Sequence, residues 1–506
     1  MTKLLRRYES LILLVGLMIL LRIPSLFEPA WYGDENIYLS IGQGVRKGLV
    51  LYRDITDFPN KPPLIYLLAA GVQTVFWFRF VLLIWNGIHT VVVFLFLKEL
   101  YPNKKWVHNL FTLLFILFSS LPFWEGNIAN GEIFMTMPVT AGMLLLWRAR
   151  YPDKVEDPRS KHRDKIKAYL WAGVLFALGF LFKIPVALDI AAAGLFFFIF
   201  SKTQAIKNLH VFLLGLIIPI GLALGFHATS GVSPLSLIST ASGSAGYVSV
   251  WQPQEGFSAL INFSTLFSRA ILLGFVTSLL FLVRNKVSRK GLFLSLWLIF
   301  ALFGALLSAR PYPHYLLQIV PALVLLLSVI VAEGFKKKVV LVGLLALMLG
   351  GAAILRFGFG TYPTFSYYQN FFGHITGKLS ADEYYDSFDG RMSRNYQVAQ
   401  YLRERTGEEE KIYIWGTEPG IYVISNRLPV GRLVTSFHVS DLDEFEVLGE
   451  QIANEMPRYI VMMTSEPRDF PRLEQLVESR YTLNKVIKEA QIYHRIPEVG
   501  LASGVQ

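Results

Sequence analysis

The sequence predicts an all-α polytopic membrane domain followed by a small α/β domain outside the membrane. Three observations predict it. The 506 residues are 53% hydrophobic and only 17% charged, against about 25% charged in soluble domains. Apolar runs of the ~17–25 residues that a transmembrane helix needs recur along the first 356 positions. From residue 357 the long runs stop and short strand-like and helix-like segments alternate. The expected domains are therefore 1–356, a transmembrane domain, and 357–506, a soluble domain outside the membrane.

The elements follow in order. "MTKLLRRYES" precedes an apolar run with no small-residue cleavage site, so an uncleaved first span is expected at 8–27. Further spans are expected at 80–97, 107–123, 133–148, 168–183, 185–200, 209–228, 265–283, 291–308, 314–332 and 338–356, about eleven in all. Residues 62–78, "PPLIYLLAAGVQTVFWF", are also apolar. Counting them as a span would put every later basic loop outside. Laying them along the outer surface as a juxtamembrane helix puts "KELYPNKK", "RARYPDKVEDPRSKHRDKIK", "SKTQAIKN", "RNKVSRK" and the lysines at 336–338 inside. The positive-inside rule selects that arrangement. It predicts a multi-pass protein of the cytoplasmic membrane, with a cytoplasmic N-terminus and an extracytoplasmic C-terminal domain. The net charge of +11 then belongs to these loops, and nucleic acid is not an expected partner.

Three outer elements result: 28–79, a Gly/Ser-rich loop at 229–264, and the tail. In the tail, "SRNYQVAQYLRERTG" reads as a helix with Ser393 as cap and Gly407 as stop. "KIYIWG", "RYIVMM" and "QIYHRI" read as strands. Without cysteine, disulfides, thiolate catalysis and cysteine-held zinc are excluded.

The outer face carries unusual charges. "WYGDENIYLS" sets Asp34 and Glu35 among Trp31, Tyr32 and Tyr38. In an extended segment the two acids would point to opposite sides. Glu132 opens the fourth span. Lys61, Arg79, Arg310 and His314 are cations on a face normally poor in them. Lys183, in "FLFKIP", lies between two short apolar segments with Pro185 breaking the helix beyond it. A recessed ammonium there takes an anionic partner, or it snorkels to a lipid headgroup. Arg79 reads as a headgroup anchor. Together these residues predict an outer recess with carboxylates on one wall and cations on the other, suited to phosphate binding and to activation of a hydroxyl or amine. Asp34 and Glu132 are also hard oxygen ligands that admit a divalent metal ion. In the 229–264 loop, Tyr247 and Trp251 offer rings to a sugar or isoprenoid, as a lid or as part of a plain connector.

The stretch "GDENIYLSIGQGVRKGLVLYRDITDFPNKPPLIYLLA" resembles the first outer loop of GT-C glycosyltransferases, in particular the protein O-mannosyltransferase and bacterial aminoarabinose transferase groups. The shared pattern is an acid pair followed by Tyr, then Gly, Leu-Tyr-x-Asp and Lys-Pro-Pro. Weaker agreement continues through "ANGEIFM", "GFLFKIP" and "YPHYLLQIVP". The resemblance implies a polyprenyl-phosphate sugar donor, an envelope acceptor (lipid, glycan or protein), and inverting transfer on the outer face. It implies Asp34 as general base, Lys61 on the donor phosphate, and Lys183 and His314 near it. The second carboxylate is usually Asp in these groups and is Glu132 here, which leaves its role and metal dependence open. The candidate set is Asp34 and Glu132 for catalysis or metal, and Glu35, Tyr38, Lys61, Lys183, Arg310, His314 and Tyr315 for substrate. The other reading is a transporter or lipid-linked-sugar flippase, which would show repeated halves and helices broken at mid-membrane. No such repeat is present in the sequence.

Overall fold

The computed structural model describes residues 2–150, 158–201, 204–233, 266–285, 287–308, 310–334, 347–348, 350–352 and 354–497. Residues 234–264 of the Gly/Ser-rich loop, with Tyr247 and Trp251, and the start of the expected last span lie outside these residues. The chain divides into two compact units. One comprises Met1–Phe27, Lys61–Ile65 and Arg79–Tyr368; the other comprises Glu28–Asn60, Tyr66–Phe78 and Gln369–Gln506.

The first unit is helical. Its helices include α1 (Thr2–Arg22), most of α4 (Val75–Leu100), α5 (Lys105–Ser120), α6 (Gly131–Arg150), α7 (Pro158–Phe182), α8 (Val186–Phe196) and α9 (Ala205–Thr229), then Leu266–Val283, Arg289–Ala305 and Val320–Glu333. Among the described residues, the segments Glu9–Leu26, Val75–Leu100, Asp164–Phe182 and Ala205–Thr229 are long and apolar enough to cross a membrane. Val186–Phe200, Ser268–Val283 and Val320–Glu333 are shorter apolar helices. The apolar run at 62–78 is not continuous. It forms the nine-residue α3 (Leu64–Val72), about 14 Å long at 1.5 Å per residue and too short to span ~30 Å of hydrocarbon. Gln73, at φ 70°, turns the chain into α4.

Lipid offers no hydrophobic drive between helices, so small residues set how closely they pack. A Cβ on Gly173 would sit 2.0 Å from the Phe212 carbonyl, and one on Gly215 would sit 2.1 Å from that of Leu170. These two glycines let the backbones of α7 and α9 touch. Arg79 is fully buried rather than a headgroup anchor. Its Nη1 donates to the Ser25 carbonyl at 3.0 Å, tying α4 to the 3-10 turn Ile23–Leu26 that Pro24 starts.

In the second unit, four strands form a mixed sheet in the order β1-β2-β4-β3. They are β1 (Tyr413–Trp415), β2 (Tyr459–Met463), β3 (Tyr481–Ile487) and β4 (Ala490–Arg495). β1 and β2 are parallel and the other pairs antiparallel. Period-two alternation sorts the side chains onto two faces. Ile414, Val461 and Ile492 join Val398, Leu402 and Tyr422 on one face. Tyr413, Trp415 and Ile460 join Leu448, Ile452 and Phe470 on the other. Both faces are thus covered by helices, as an α/β arrangement requires. The three strands expected from sequence are present. β3 was not expected, because it is an edge strand whose residues from Thr482 to Val486 are exposed and lack an apolar alternation. The helix Met392–Arg405 is also present, but Ser393 lies inside it. The cap comes from Asp386, whose oxygens accept from the Ser393 amide and hydroxyl, both at 2.7 Å.

Candidate functional site

The sequence-derived residues gather in two groups, one in each unit. In the first unit, α7 ends at Phe182 and α8 begins at Val186, leaving Lys183 at the break. Its ammonium is hydrogen-bonded to Glu132 Oε1 in the first turn of α6. Glu132 is 2% exposed. A Cβ on Gly131 would lie 3.3 Å from Lys183 Cδ, so glycine there lets the lysine stem cross the start of α6. Lys183 also sits 4.8 Å above the Tyr315 ring. His314 Nε2 is 3.9 Å from Glu132 Oε1, and its Nδ1 meets Glu125 Oε2 at 2.6 Å. The His314 ring is flanked by Tyr312 and Tyr315. The expected recess set carboxylates and cations on opposite walls. Glu132 and Lys183 are instead direct partners.

Glu125 is a functional candidate that the sequence did not reveal. It adopts the left-handed conformation, φ 58°, after the turn Pro122–Trp124. Nothing in its local sequence ties it to a histidine 189 residues away. Arg310 is half-buried, with its amide hydrogen-bonded to Ser308 Oγ at 3.3 Å. Lys61 is half-buried just before α3.

The second unit carries Asp34. Its segment is helical, not extended: α2 (Gly33–Arg46) starts directly after the extended Tyr32, with Asp34 and Glu35 in its first turn. Carboxylates there complement the helix dipole. The helix turns the two acids to different surroundings, Asp34 half-buried and Glu35 1% exposed. Tyr38, one turn on, donates its hydroxyl to Asp34 Oδ2 at 3.2 Å. The Tyr38 ring meets that of Tyr66 edge-on at 5.9 Å, and Tyr66 Oη donates to Asp57 Oδ2 at 3.0 Å. Asp57 Oδ1 accepts from the Phe58 amide at 2.7 Å and lies 3.2 Å from His438 Nε2. Burial, and then the Asp57 charge, push the neighbouring Tyr52 phenol well above its ordinary value. The buried Asp57–His438 pair was also not legible in sequence, since its members are distant and each is isolated.

A divalent ion fits these groups poorly. Among the described residues, no cluster of three or more His, Asp or Glu side chains could hold one. Glu132 Oε1 is taken by Lys183, leaving Oε2 buried without a hydrogen-bond partner among the described residues. Hard cations take six or more oxygens, or keep several waters.

No protein-family model and no curated protein matches this sequence. Solved structures do. The chain is similar to ArnT from Cupriavidus metallidurans bound to undecaprenyl phosphate, with a TM-score of 0.59 and 12% identity over 97% of this chain and 99% of that one. It also matches the apo oligosaccharyltransferase of Archaeoglobus fulgidus, with a TM-score of 0.48 and 15% identity over 90% of this chain and 69% of that one. The archaeal oligosaccharyltransferase AglB from the same organism, in complex with an inhibitory peptide and a dolichol-phosphate, matches at a TM-score of 0.42 and 13% identity, over 98% and 75%. The near-complete mutual coverage with ArnT shows that this chain has the ArnT fold.

Proposed function

We propose that this protein is an integral membrane glycosyltransferase that moves a sugar from a polyprenyl-phosphate donor to an envelope acceptor at the outer membrane face. In this reading the chain crosses the cytoplasmic membrane about eleven times, with its N-terminus inside and residues 357–506 outside. The observation that carries it is the group at the break between α7 and α8, in which half-buried Lys183 and Glu125 meet buried Glu132 and His314. A membrane protein bears the cost of ionisable groups in such a place where they serve a substrate. The ArnT fold supports the reading, since that protein was captured with undecaprenyl phosphate.

Transfer proceeds by single displacement. The acceptor oxygen or nitrogen bonds to the anomeric carbon as the bond from that carbon to the phosphate oxygen breaks. The departing polyprenyl phosphate keeps the bonding electron pair, and the configuration inverts. Asp34 takes the acceptor's proton, with Tyr38 fixing the carboxylate by its hydrogen bond. Lys183, His314, Arg310 and Lys61 stabilise charge growing on the phosphate. Glu132 neutralises Lys183 until phosphate competes for it.

The test is transfer of labelled sugar from a polyprenyl-phosphate donor by protein in vesicles. Asp34→Asn is expected to cut transfer by about 10²–10⁴-fold while the protein keeps its melting temperature. Full turnover by that variant would remove the assigned base.

A further inference from the structure

Asn36, Ser40 and Gln43 fall at i, i+4 and i+7 of α2 and so form one stripe along the helix. Buried stripes are ordinarily apolar, yet these three residues are only 3%, 0% and 4% exposed. The stripe docks on the short helix Gly420–Ser425. Ser40 Oγ donates to the Pro419 carbonyl at 3.2 Å. Gln43 Nε2 donates to Asn426 Oδ1 at 2.8 Å and to the Val423 carbonyl at 3.5 Å. Asn36 Nδ2 turns back to the Ala30 carbonyl at 2.8 Å. Gly420 packs on that corner, where a Cβ would lie 3.0 Å from both the Ala30 oxygen and Asn36 Nδ2. The other side of α2 meets α3 at Gly42, where a Cβ would lie 2.5 Å from the Ala70 nitrogen. The docking helix is itself anchored: Glu418, just before it, accepts from Arg394 at 2.9 Å and from Arg391 at 3.3 Å.

We propose that Asn36, Ser40, Gln43 and Asn426 are positioning residues, by which the Gly420–Ser425 helix fixes the roll and axial register of α2 and so aims Asp34. The inference rests on the reading of Asp34 as the base. An apolar stripe would bury as well but would tolerate sliding, whereas the hydrogen bonds here go to particular acceptors, Pro419 O for Ser40 and Asn426 Oδ1 and Val423 O for Gln43. A slip of one residue rolls a helix by about 100°, which would turn Asp34 away from its present direction. Asn36 Oδ1 and Gln43 Oε1 are buried without hydrogen-bond partners among the described residues. Such a stripe carries a desolvation cost that apolar residues would avoid, so its contribution is placement rather than adhesion.

The experiment compares Gln43→Met and Asn426→Gly with Asn426→Asp. Methionine keeps the volume of glutamine without its hydrogen bonds. Glycine keeps the positive φ of 55° at position 426 without the acceptor, and aspartate keeps both. With a polyprenyl-phosphate-sugar donor, kcat of the first two is expected to fall by about 10²-fold, the scale of a reacting group misplaced by an ångström. The donor KM should change less than about twofold, as when an interaction made only in the transition state is removed. Asn426→Asp should restore turnover. Hydrogen exchange of amides 33–46, read without substrate, should quicken in the first two variants only. Unchanged kcat and exchange in Gln43→Met and Asn426→Gly would overturn the proposal. So would kcat, donor KM and melting temperature all worsening together, which marks plain destabilisation. Absence of turnover in the unaltered protein would remove the glycosyltransferase reading, and the exchange data would still decide whether the dock holds α2.

Discussion

At the residue scale, the proposed function gives two carboxylates separate duties that substitution can tell apart. Asp34 is half-buried and held by Tyr38. Asp34→Asn should cost about 10²–10⁴-fold in kcat, the usual worth of a general base, with little change in melting temperature. Glu132 is the buried partner of Lys183. Glu132→Gln should therefore destabilise the protein by about 3–5 kcal/mol, the usual cost of leaving a buried charge unpaired. Removing the lysine as well, in Glu132→Gln with Lys183→Met, should recover most of that loss in thermal melting of the detergent-solubilised protein. Additive losses in the double variant would show that the two side chains are independent. Asp34 and Lys183 stand out in the sequence because each is chemically out of place, an acid among aromatics and a cation between apolar runs. Glu125, Asp57 and His438 were not. Their meaning comes from partners far away in the chain, and no periodicity or spacing encodes those meetings.

At the element scale, helix boundaries decide where the chemistry stands. The break between α7 and α8 sets Lys183, and the α7–α9 crossing sets α7. Gly215→Leu would drive a side chain into the Leu170 carbonyl. It should lower both yield and melting temperature, the ordinary result of overpacking by about 1–3 kcal/mol or more. Normal melting of that variant would show that the two helices need not touch. The helix Met392–Arg405 depends on a cap from a neighbouring helix. Burial alone would raise the Asp386 carboxyl, but hydrogen bonds from Ser393 and the nearby Lys488 outweigh it and hold it below its ordinary value. A group so depressed stabilises the fold above its unfolded pKa of about 4, and that stability is lost as pH falls through the lower folded value. Asp386→Asn should thus flatten the acid limb of the stability curve. Near neutral pH it should cost about 1 kcal/mol, as lost caps do. An unchanged acid limb would contradict this. The sequence marked this helix correctly by its period and misplaced its cap, because the capping side chain comes from outside the segment. β3 escaped notice for a related reason: an exposed edge strand carries little of the hydrophobic signal that marks a strand.

At the scale of the whole molecule, the apolar composition and the basic loops announce a polytopic protein, and the ArnT fold accords with that. What composition could not announce is how residues 28–60 associate. They group with the C-terminal residues in one compact unit, through contacts such as the Thr56 amide to the Arg432 carbonyl at 2.9 Å. The loop that carries Asp34 is therefore built together with the tail. The central claim, a lipid-phosphate substrate held by Lys183 and its neighbours, can be tested without knowing the sugar or the acceptor. Native mass spectrometry of the purified protein with polyprenyl phosphate alone should show one lipid bound to the unaltered chain and to Asp34→Asn, and at least tenfold weaker binding to Lys183→Met, the loss of about 1.4 kcal/mol or more. Equal binding by all three, or none by the unaltered chain, would contradict the account.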